Sequence, residues 1–119
     1  MRLLASFLIL VGILMIGQWG FSLAMGQVPE VATEPIRLGF HLAAELTTAL
    51  TLIASGWALL AGRGWGRDLG LVALGILIYS MIVSPGYFAQ QGQWVPVMMF
   101  AVLLILSLAG IRTLLRARP

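Results

Sequence analysis

The chain has 119 residues, of which 61% are hydrophobic and 9% charged, and its mean hydropathy is +1.03. A water-soluble domain carries about 25% charged residues, so this composition excludes an ordinary soluble domain. With no cysteine, it also excludes disulfide frameworks, thiolate metal sites and cysteine nucleophiles. The net charge of +3 arises from seven arginines set against four acidic residues.

Crossing a hydrocarbon core takes about 20 mostly apolar residues. Four stretches approach that length: about Leu3–Met25, Ile36–Ala61, Leu69–Ser84 and Trp94–Leu115. They leave no room for a soluble domain, so the expected fold is a single all-α membrane domain over residues 1–119, a compact bundle of four transmembrane helices. In segment one, Met1-Arg2 and Ser22-Leu23-Ala24 invite comparison with a cleaved secretory signal. Its apolar run is long for a signal, and it is read as a retained helix. Segment two begins beside Pro35, which is harmless in the first turn of a helix, with Thr33 or Glu34 available as a cap. Gly62, Gly64 and Gly66, interleaved with Arg63, Trp65 and Arg67, then break the chain. Segment three is the shortest, ending before Pro85-Gly86, and would tilt little or thin the bilayer around it. The stretch from Ser84 to Trp94 reads as an uncharged, aromatic and glutamine-rich loop. No internal repeat is read from the sequence.

Arg2, Arg63, Arg67, Arg112, Arg116 and Arg118 fall at the N-terminus, the second loop and the C-terminus. An even number of spans puts all three regions on one face, and the positive-inside rule makes that face cytoplasmic. Both termini are therefore expected inside a cell membrane, and the basic charge reports topology rather than nucleic-acid binding. Trp19, Trp65, Tyr87, Phe88 and Trp94 fall near the interfaces, as an aromatic belt does.

Segment two carries Arg37, His41, Glu45, Thr48 and Ser55 within a sector of about 80° of the helix. His41 is the single histidine, and Glu45 is the one acidic residue deep inside an apolar segment. Ionisable groups in a bilayer are expensive and mark pathways, partners or binding sites. Counted from Ile36, His41 lies roughly 8 Å along the helix and Glu45 roughly 14 Å. Gln18 and Tyr79 reach comparable depths on segments one and three, so a hydrogen-bonded set of Gln18, His41, Glu45 and Tyr79 is the expected ligand or proton site. Protonation of His41 and Glu45 would then be linked. Arg37 is expected to snorkel or to pair with Glu34 or Glu30, and Thr48 and Ser55 to bond carbonyls one turn back.

No phosphate loop, nucleophile elbow, zincin motif or paired carboxylate is present, so no enzyme is expected. His41 and Glu45 at i, i+4 supply two metal ligands where a site wants at least three, and no metal or cofactor is expected. Small residues recur at Gly12, Gly17 and Gly20, at Ala54, Ala58 and Gly62, and at Gly70 and Gly75. They favour close helix approach and a homo-oligomer. Two functions fit these observations. One is a proton-linked small-solute transporter or binding protein. The other is a non-catalytic accessory subunit of a larger membrane complex, in which the polar stripe joins helices.

Overall fold

A computed structural model describes residues 1–117, and Arg118, one of the arginines counted on the cytoplasmic face, lies outside the described residues. Among the described residues the regular structure is entirely helical: α1 Arg2–Ala24, α2 Glu30–Thr33, α3 Pro35–Leu60, α4 Trp65–Val83, α5 Pro85–Gln90 and α6 Trp94–Arg116. Four spans are long and apolar enough to cross a membrane, Arg2–Ala24, Pro35–Leu60, Trp65–Gln90 and Trp94–Arg116. The chain divides into two units, Met1–Gly66 and Arg67–Pro119.

The first unit is an antiparallel pair of α1 and α3. Its contact rests on two octets that share Ala, Leu, Ile and Gly at one spacing, Ala5-Ser6-Phe7-Leu8-Ile9-Leu10-Val11-Gly12 and Ala49-Leu50-Thr51-Leu52-Ile53-Ala54-Ser55-Gly56. A Cβ placed on Gly12 would lie 2.6 Å from Ile53 Cγ1 and 2.7 Å from the Ala49 carbonyl oxygen; one on Gly56 would meet Ile9 Cγ1 and the Ala5 oxygen at the same two distances. The octets thus pack reciprocally about a local twofold axis, with Leu8 and Leu52 both fully buried beside them. This inverted repeat corrects the reading that the chain holds none. It escapes notice because the shared residues are common in any apolar helix, and only the mutual contact distinguishes them. Lipid chains are as apolar as leucine side chains, so two helices gain little from hydrophobicity alone and must pack closely to adhere. Glycine in a helix interior costs about 1 kcal/mol relative to alanine, which the close approach offsets.

The helices end where the chain can reverse. At Gly62, with φ of +70°, the Arg63 N–H donates to the Ala58 oxygen at 2.8 Å and the Gly62 N–H to the Leu59 oxygen at 3.3 Å. This is the Schellman arrangement that satisfies the last carbonyls of a helix, and Gly26 and Gly92 close α1 and α5 in the same way. At the start of α3, neither Thr33 nor Glu34 caps with its side chain. The Thr33 hydroxyl donates to the Pro29 oxygen, and Glu34 pairs instead with Arg37.

The second unit begins within α4. That helix starts at Trp65 rather than Leu69, because Gly66 lets the first turn sit against the end of α3: a Cβ there would be 2.9 Å from Leu59 N. Asp68 lies in the first turn, where a negative charge complements the helix dipole. Pro85 is not the stop its sequence suggests. Ser84 keeps helical angles and its N–H bonds the Ser80 oxygen at 2.8 Å, so α5 continues from α4 and the third span is longer than expected. Most of the expected loop from Ser84 to Trp94 is therefore helix, with Phe88 turned onto Phe100 of α6 at 5.9 Å between ring centroids. Leu74 and Leu77 of α4 and Leu114 of α6 are fully buried.

Candidate functional site

Glu45 sits within about one turn of the midpoint of α3, and four residues N-terminal to it, on the same face, lies His41. Side chains at i and i+4 stand one above the other on a helix, and here His41 Nε2 comes within 3.9 Å of Glu45 Oε1. That separation exceeds a hydrogen bond; it is a charge contact when the imidazole is protonated. The Glu45 side chain is 14% exposed and that of His41 46% exposed, so the carboxylate is the inner member of the pair and the imidazole the outer.

The third member is Trp19. Its ring meets the His41 ring edge-on, with centroids 5.4 Å apart and planes at 67°. Edge-to-face contact suits the positive edge and negative face of aromatic rings, and it fixes the imidazole from the opposite helix. The sequence placed Trp19 only in an interfacial belt. A signal for its partnership lies in the inverted repeat: in a pairing that sets Gly12 against Ala49 and Ile53, a residue two turns further along α1 comes opposite the region of His41.

Gln18 is exposed on α1, beside Trp19 but outside its contact with His41. Tyr79 belongs to the second unit and is 71% exposed. Arg37 pairs with Glu34 at 3.4 Å on the helix surface. Thr48 and Ser55 are buried, yet each hydroxyl is used within its own helix, donating to the Ala44 oxygen at 2.8 Å and the Leu52 oxygen at 3.0 Å. Thr47 and Thr51 behave alike. Of the polar stripe, Thr48 and Ser55 turn to their own backbone, while Arg37 and the His41–Glu45 pair make side-chain contacts.

As a donor set the pair is small. Among the described residues no three His, Cys, Asp or Glu side chains gather to hold a metal ion. One imidazole and one carboxylate can exchange a proton between them or present an anionic oxygen to a small cation.

No curated protein and no solved structure matches this chain. Residues 1–118 match a family described as "Domain of unknown function (DUF8058)", and the chain belongs to that family.

Proposed function

We propose that this protein is a small multi-pass protein of the cell membrane whose His41–Glu45 pair takes up and releases a proton in step with binding or moving a small solute. The observation that carries the reading is a carboxylate near the middle of a helix long and apolar enough to cross a membrane, within 3.9 Å of the chain's single imidazole. A carboxylate at that depth is costly as an ion and is retained where it serves a pathway or a ligand. Trp19 supports the reading by holding the imidazole from the second helix of the hairpin. In this proposal the four spans form one bundle with both termini cytoplasmic. The small interior of four helices favours a conduction path formed by a homo-oligomer.

The test is proton uptake by the purified chain in bilayers across about pH 5 to 9, a range around the ordinary histidine value. A titrating group present in wild type, absent in Glu45→Gln, altered in His41→Ala and shifted by a bound solute is the expected result. No titration in that range, with assembly unchanged in both variants, would overturn it.

The accessory-subunit reading is favoured by a different observation, that only 17 to 33% of each candidate span is buried, which leaves apolar helix surface for other chains. Under it, Glu45→Gln weakens association with co-purifying partners and leaves proton uptake unchanged.

A further inference from the structure

We infer that the turn after α3 binds the headgroup of an anionic phospholipid through Arg63, with Trp57 and Trp65 as its apolar floor. The Schellman reversal at Gly62 folds the chain back, and the Arg63 guanidinium comes to lie over the Trp57 ring, 5.9 Å from its centroid. Trp65 follows at 6.2 Å from Trp57, the two ring planes inclined by 37°. Both indoles are about half exposed, Trp57 near the end of α3 and Trp65 at the start of α4, two helices long and apolar enough to cross a membrane. That is the depth at which an amphipathic ring lies against acyl chains with its N–H among headgroups.

Charge selects the ligand. The acidic residues of the first unit are Glu30, Glu34 and Glu45, and from Glu45 to the end of α3 the helix runs more than about 20 Å. The next carboxylate in the chain, Asp68, is engaged by Arg67 at 3.2 Å. Arg63 itself is exposed and makes no ion pair among the described residues, and the antiparallel course of α1 brings Arg2 to the same end of the hairpin. A planar guanidinium already held over a ring presents its N–H fork to a phosphate with little further ordering. A zwitterionic headgroup would bring an ammonium group towards two arginines, whereas an anionic one brings none. Acyl chains give the two indoles a surface that inorganic phosphate lacks, which makes a lipid the fitting source of the phosphate.

The experiment uses the full chain in vesicles of phosphatidylcholine with one quarter phosphatidylglycerol, reading tryptophan emission when either lipid is replaced by its dibrominated form. Wild type should be quenched preferentially by brominated phosphatidylglycerol, with a relative affinity of about fivefold, the effect of one arginine at an anionic surface. Arg63→Gln should remove that preference while Arg116→Gln keeps it, with the helical circular dichroism of both unchanged because both side chains are exposed. Equal quenching by the two lipids in wild type would overturn the site. So would an equal loss in Arg63→Gln and Arg116→Gln, which would assign the preference to diffuse surface charge.

Discussion

The Nε of Arg67 donates to the carbonyl oxygens of Leu114 and Ala117, each at 2.9 Å, while its Nη1 contacts Asp68. The last carbonyls of a helix have no partner within it and carry partial negative charge, so one guanidinium both caps and neutralises the end of α6. Bonds to a charged donor contribute about 1.5–3 kcal/mol. Arg67→Met should therefore free the final turn of α6, seen as faster amide hydrogen exchange confined to the residues near Leu114. Arg67→Lys should restore only part of the protection, because an ammonium lacks the planar fork. Unchanged exchange in Arg67→Met would show that water serves these carbonyls equally well. In the sequence Arg67 is legible only as one of several interfacial charges, since its acceptors lie 47 and 50 residues away. His41 and Glu45 are legible together because helical spacing alone relates them. Trp19 is not, because its contact depends on the register between two helices.

At the scale of elements, apolar length and arginine punctuation are enough to locate four helices to within a few residues. Two ends depend on information that composition lacks. The start of α4 depends on Gly66 fitting against Leu59, and the continuation past Pro85 depends on Ser84 holding helical angles so that the proline ring enters the first turn of α5. The contact between α1 and α3 yields a sharper expectation. Gly12→Val and Gly56→Val each force a side chain towards a backbone oxygen, and overpacking of this kind costs about 1–3 kcal/mol. The reciprocal geometry predicts equal losses. Gly17→Val, where a Cβ meets nothing within 4 Å, should change little. Reversible unfolding in mixed micelles measures all three, and the double variant should lose less than the sum, because helices already parted by one valine accommodate the second. Unequal single losses would show that the twofold relation is geometric only.

For the molecule as a whole, between 17 and 33% of each candidate span is buried, so most of the apolar helix surface remains for lipid or for other chains. The distribution of arginines predicts that a reporter fused at Pro119 will report the cytoplasm, as will one fused within the turn at Gly64, while one inserted near Gly92 will report the outer compartment. A reporter at Pro119 found outside would mean an odd number of crossings or an inverted chain. The octets of α1 and α3 give this test a particular weight. Ala, Leu, Ile and Gly recur at reciprocal places on the two octets, so that stretch of the interface is a palindrome in those four residues, while the Trp19–His41 contact beyond it has no counterpart at the other end among the described residues. Packing of those four residues therefore holds no preference for which end faces the cytoplasm. The positive-inside rule assigns that choice to the charges outside the octets, and a hairpin stripped of Arg2 and Arg63 is expected to retain its grip while losing that bias.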